Sequence, residues 1–189
     1  MTDSILTRPG KRERLVAAAA ELVQRHGIET PTLAQIAEAA DVAPGNVYYY
    51  FKTREELLAA LVERRRGEVR ALLCELDHRR GPRARLKGLA DSWAATAEQL
   101  VEHGCPVGCL ASELGKTHPS LAPNAAGLLE EMLDWSEKQF RELGHRDARD
   151  LATTLLAGIQ GAAVLAEALR DPDVMRREVQ RLDRWIDDL

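Results

Sequence analysis

Apolar residues recur at helical spacing along nearly the whole chain, and Gly and Pro punctuate them. Leu15, Ala18, Ala19 and Leu22 mark one face of a helix over residues 11–26, and Gly27 ends it. Thr32 opens a second, short helix whose inward face is Leu33, Ile36, Ala37 and Ala40, with Gln35 placed to complete a capping box. Asp41-Val42-Ala43 interrupts it, and Pro44 suits the first turn of a third helix reaching about Tyr50. Thr53 and Glu56 repeat the capping pattern before a long helix to about His78, which Gly81-Pro82 stops. Helices are then predicted over about residues 83–102, 107–115, 120–143, 147–169 and 172–187, the last opened by Asp171 as N-cap and Pro172 at its first position. No strand alternation, linker, low-complexity tract or repeat stands out. The pattern predicts an all-α protein of about nine helices. An amino-terminal unit over 8–66, with a helix-turn-helix at about 32–51, precedes a helical unit over 67–189.

Composition sharpens this picture. The 189 residues are 45% hydrophobic but only 4% aromatic, a bias toward Ala and Leu that suits helices better than strands. A chain of this length buries about 70% of its unfolded surface and needs no staples. Cys74, Cys105 and Cys109 are an odd three, which argues for a reducing compartment instead of a disulfide scaffold. The longest aliphatic run, Leu15 to Ala20, is far below the ~18 residues of a membrane span. Residues 1–14 hold four basic positions and no apolar core of a secretory signal. A cytoplasmic protein without a membrane partner is expected. Net charge is −4, split into +1 over residues 1–66 and −5 over 67–189, an asymmetry too mild to settle a nucleic-acid partner.

Two short helices joined by a tight turn, after a longer helix, form a pattern that reads DNA. The first short helix must pack on the second, so Ile36, Ala37 and Val47 are expected to form a small core, with Ala39, Ala40 and Ala43 permitting close approach. The second helix then exposes Pro44, Gly45, Asn46, Tyr49 and Tyr50 toward base edges. Asn pairs bidentately with adenine, and Tyr meets phosphate or a thymine methyl. Thr32 and Lys52 lie at helix starts suited to phosphate. Tyr48 and Phe51 are expected in the core, on the Val47 side.

The stretch from Thr32 to Leu57 resembles the DNA-binding signature of the TetR family of transcriptional regulators, a likeness covering about residues 11–62. It is carried by Thr32, Gly45, Tyr48, Phe51 and Lys52. Ala43-Pro44 stand where the family often has Ser-Lys, and Tyr50 where it often has His, so no operator sequence is inherited. The resemblance implies a homodimeric regulator of double-stranded operator DNA, usually a repressor released by a small-molecule inducer. It implies no cofactor, metal site or catalytic residue.

Residues 151–166 carry no charge for more than four turns, which predicts a helix buried on both sides. Ala157, Gly158, Gly161 and Ala162 there, with the stripe Met175, Val179, Leu182, Trp185 and Ile186, resemble the family's dimer-forming helices, placing the interface within about 147–187. The middle helices resemble the family's ligand-enclosing region, for which Trp93, Cys105, Cys109, Met132 and Trp135 are the candidate lining residues. Residues 104–114 also resemble a family subgroup's segment, with Cys109 in place of Asn. Cys105 is predicted at a helix N-terminus, where the dipole lowers a thiol's pKa, and Cys109 lies one turn on. This leaves a thiol-based sensor of oxidants or electrophiles as an alternative to simple packing. A di-iron enzyme is a distant reading: Glu75-x-x-His78 and Glu142-x-x-His145 have the spacing but fall at helix ends. A helical partner-binding module without DNA contact is the third.

Overall fold

The computed structural model describes residues 9–189, so the first residue of the expected 8–66 domain lies outside the described residues. Among the described residues the order is α1 (Lys11–His26), α2 (Leu33–Ala39), α3 (Pro44–Tyr50), α4 (Arg54–Asp77), α5 (Pro82–Ala94), α6 (Ala97–His103), α7 (Gly108–Thr117), α8 (Ala122–Glu142), α9 (Ala148–Leu169) and α10 (Pro172–Asp188), with no strand. The segment expected as one helix over 83–102 is two, α5 and α6, because the backbone leaves helical geometry at Thr96 (φ −114°, ψ 21°). The chain divides into two compact units, one ending at Arg64 and one spanning Arg65–Leu189. α4 contributes to both.

In the first unit, Leu15, Ala19, Ile28, Ile36, Ala37, Val47, Phe51 and Leu57 are almost wholly buried. Gly27 closes α1 at φ 78°, ψ 167°, a conformation essentially restricted to glycine, and its N–H reaches the Val23 carbonyl at 2.8 Å. Arg54 then bonds the loop before α2, donating to the Pro31 carbonyl at 2.6 Å and to the Ile28 carbonyl.

In the second unit, α9 packs against α8, α10 and α6, and α10 packs against α5. The buried face of α9 is Ala148, Ala152, Leu155, Leu156, Ile159, Ala162, Ala163 and Ala166. α9 is long and apolar enough to cross a membrane by composition, but this face is committed to neighbouring helices. The other face is exposed, unlike the two-sided burial expected for residues 151–166: Val164, Leu165 and Leu169 are 64%, 53% and 65% accessible. Met175, Val179, Leu182 and Ile186 of α10 are buried, while Trp185 is half-buried against Phe140 at 5.9 Å. Asp171 caps α10 by accepting the Asp173 N–H at 2.9 Å. That bond, together with Arg177, holds its carboxyl below the usual range.

Candidate functional site

α2 starts with the predicted capping box. Thr32 Oγ1 accepts the Gln35 N–H at 3.2 Å, and Gln35 Oε1 accepts the Thr32 N–H at 2.8 Å. It ends in a tight turn in which the Val42 N–H reaches the Ala37 carbonyl at 2.9 Å and Asp41 is left-handed at φ 52°. Asp tolerates that conformation better than most residues, and Arg14 Nη1 reaches its Oδ2 at 3.1 Å. Val42 then buries and the chain enters α3 at Pro44.

α3 buries Val47, and Phe51 one turn later; Arg12 lies 5.2 Å over the Phe51 ring. Because buried residues at i and i+4 define the inner face, a residue at i+1 turns about 100° away. Tyr48 is therefore 58% exposed, correcting the expectation that it joins the core. Tyr49 is 74% exposed and meets Tyr50 edge to face at 5.0 Å. Pro44 and Gly45 are exposed, and Asn46 and Tyr50 are half-buried, so α3 presents the expected residues with Tyr48 added. The Val47/Phe51 spacing was the signal that sequence reasoning missed. Lys52 is exposed, but its Nζ donates to the Tyr48 carbonyl at 2.8 Å, closing the end of α3.

The second unit holds a cavity of about 390 Å³ among the α6–α7 connection, α7, α8 and α9. Cys105, Cys109, Glu113, Leu129, Gln160 and Glu167 are among its lining residues, and no Lys or Arg is. Gly104, at φ 69° and ψ −179°, admits the close approach here: a Cβ on it would lie 2.7 Å from both Cys109 Sγ and a Glu167 carboxylate oxygen. Gln160 Nε2 is buried with no hydrogen-bond partner among the described residues. Of the five expected pocket residues, this cavity gathers only the two cysteines. Trp93 is buried on α5, which packs on α10 and α8, and Met132 is 1% exposed in the α8 core. Trp135 Nε1 donates to Asp77 Oδ1 at 2.9 Å, which binds it to α4. Gln160 and Glu167 escaped sequence reasoning, although Gln160 is the lone polar residue between Leu155 and Ala166.

Cys105 stands before α7 as predicted, 4% exposed, with its Sγ accepting the Gly108 N–H at 3.4 Å. Burial first, then the negative charge of Glu167, pushes the Cys109 thiol up to about 11. It stays protonated near neutral pH, so Cys109 itself is a poor nucleophile for the alternative of a thiol sensor. Of the two Glu-x-x-His pairs, Glu142 pairs with Arg85 at 3.2 Å and His145 meets Phe140 edge to face at 6.4 Å.

The family model for bacterial regulatory proteins of the tetR family matches residues 15–61. The model for the LmrA/YxaF-like transcriptional regulator C-terminal domain matches residues 82–180, more than half of the chain. The HTH-type transcriptional regulator Rv0196 of Mycobacterium tuberculosis is 27% identical over 92% of this chain and 94% of its own. The HTH-type transcriptional regulator LmrA of Bacillus subtilis is 27% identical over 82% of this chain and 85% of its own. A TetR regulatory protein structure from Rhodobacter sphaeroides superposes with a TM-score of 0.81 at 26% identity, covering 92% of this chain and 97% of its own. One from Legionella pneumophila gives 0.85 at 19% identity, covering 97% and 98%, a likeness of fold. The chain belongs to the TetR family of bacterial transcriptional regulators: a DNA-binding helix-turn-helix protein with an LmrA/YxaF-like C-terminal domain.

Proposed function

We propose that this DNA-binding regulator is a homodimeric repressor, and not an enzyme, released from its operator when a small molecule occupies the second unit's cavity. The observation that carries the reading is the cavity itself, a recess of about 390 Å³ on the scale of a small-molecule site. Glu167 in the lining, with no Lys or Arg beside it there, favours a neutral or cationic ligand over an anion. The ligand acts only through differential affinity for the conformation that does not fit the operator.

Dimerisation is supported by the exposed face of α9. Ala157, Gly161, Val164 and Leu165 lie along it at helical spacing, and a recess of about 500 Å³ between α9 and α10 is lined by Ala157, Gly158, Gly161, Leu165 and Arg181 among others. Small and apolar residues exposed together are the material of an interface between copies. In this reading Pro44, Gly45, Asn46, Tyr49 and Tyr50 meet bases, Thr32 and Lys52 meet phosphate, and the protein works in the cytoplasm beside the chromosome. The curated relative NemR of Escherichia coli, named a transcriptional repressor, is 30% identical over 57% of this chain and 54% of its own, which supports the sign of regulation.

The test is fluorescence anisotropy with DNA upstream of the protein's own gene, over a salt series with random competitor DNA, alongside light scattering for mass. Tight, competitor-resistant binding by a dimer that weakens steeply with salt is expected. A monomer, or binding equal to random DNA at every fragment selected from a random pool, overturns it.

A further inference from the structure

We infer that the operator half-site is built of A·T pairs where α3 enters the major groove, with Asn46 selecting an adenine and the rings of Tyr49 and Tyr48 packing on thymine methyls. The inference rests on the reading that α3 contacts bases. Residues Pro44–Tyr50 include no Lys, Arg, Asp or Glu. Guanine is most often read by an Arg or Lys donating to O6 and N7, and cytosine by a carboxylate accepting from N4. Neither chemistry is present on α3.

Four cations of the same unit are engaged by its own groups. Lys52 Nζ donates to the Tyr48 carbonyl at 2.8 Å, and Arg54 donates to the Pro31 and Ile28 carbonyls. Arg14 pairs with Asp41 at 3.1 Å, and Arg12 lies over the Phe51 ring. The exposed residues of α2 are Ala34, Gln35, Glu38 and Ala39, of which Gln35 is held in the capping box. What α3 offers is the Asn46 side-chain amide, which has no hydrogen-bond partner among the described residues, and two exposed phenol rings. An amide matches adenine's N6 donor and N7 acceptor, and an apolar ring matches the C5-methyl of thymine.

The experiment selects binding duplexes from a random pool with the full-length protein, then repeats the selection with Asn46→Ala, Tyr49→Ala and Tyr49→Phe, each checked by thermal melting. The expected result is a symmetric motif in which Asn46→Ala costs about tenfold in the preference for one adenine. Tyr49→Ala should flatten a neighbouring thymine that Tyr49→Phe retains. Replacing that thymine by deoxyuridine should weaken the wild type severalfold and leave Tyr49→Ala unmoved. If the positions that respond to these substitutions are G·C pairs, the inference is overturned while α3 remains the reading helix. A motif that none of the α3 substitutions changes overturns the underlying reading as well, as does a pool with no enrichment.

Discussion

The two units of this protein carry their chemistry in opposite ways. In the first, every candidate DNA contact from Thr32 to Lys52 lies within 21 consecutive positions, shaped by bonds three to five residues apart: the Thr32–Gln35 box, the Val42–Ala37 turn, the Lys52–Tyr48 closure. In the second, the cavity joins Cys105 and Cys109 to Leu129 and then to Gln160 and Glu167, more than 50 positions away. A local device is written in spacing. A site assembled from three helices depends on packing that no short window records. One consequence is that damage to the first unit should erase DNA reading, whereas damage to the cavity should erase only the response to a ligand.

The largest expected effect breaks the first half of this comparison. Phe51→Ala empties a fully buried ring site behind α3, at a cost of about 3–5 kcal/mol. Operator binding should vanish in anisotropy while circular dichroism still shows the helices of the second unit. Retained operator affinity would mean that α3 does not need this ring for its placement.

Gly104→Ala strikes the second unit. It forces a side chain into a backbone conformation essentially reserved for glycine and against Cys109 and Glu167, costing about 1–3 kcal/mol. A lower melting temperature and loss of ligand-induced release are expected, with operator affinity preserved at low temperature. Equal loss of DNA binding would show that the two halves are not separable in this way.

Tyr49→Ala removes a 74% exposed ring, so folding should be untouched. Operator affinity should fall roughly tenfold, the scale of one good base contact. An unchanged affinity for a confirmed operator removes Tyr49 from the reading face.

The smallest effect concerns the cavity's charge. Raised toward about 11, the Cys109 thiol should alkylate slowly at pH 7–9 and faster only as pH climbs toward that value, with exposed Cys74 as internal reference. Glu167→Gln removes a negative neighbour and should move that rise to lower pH, as followed by mass spectrometry. Equal labelling of Cys109 and Cys74 at pH 8 would show that the cavity is open and well hydrated.

The sequence by itself determined the helical class, the helix-turn-helix and nearly every helix boundary, because caps such as Thr32, Asp171 and Pro44 and stops such as Gly27 act within one turn. It also marked out which residues α3 leaves accessible, apart from Tyr48, whose exposure followed once Val47 and Phe51 proved to be the buried pair. Only the tertiary structure decided the rest. Trp93 and Met132 look like pocket material by composition, yet close packing leaves them in the core. Gln160 and Glu167 look like interruptions of an apolar helix, yet they line the cavity. The apolar run of α9 reads as buried all round, yet the chain's own helices cover only one face and leave Val164, Leu165 and Leu169 exposed. Hydrophobic periodicity records which side of a helix avoids water. Which neighbour covers that side, and where covering fails and leaves a recess, depends on the packing of helices distant in the chain.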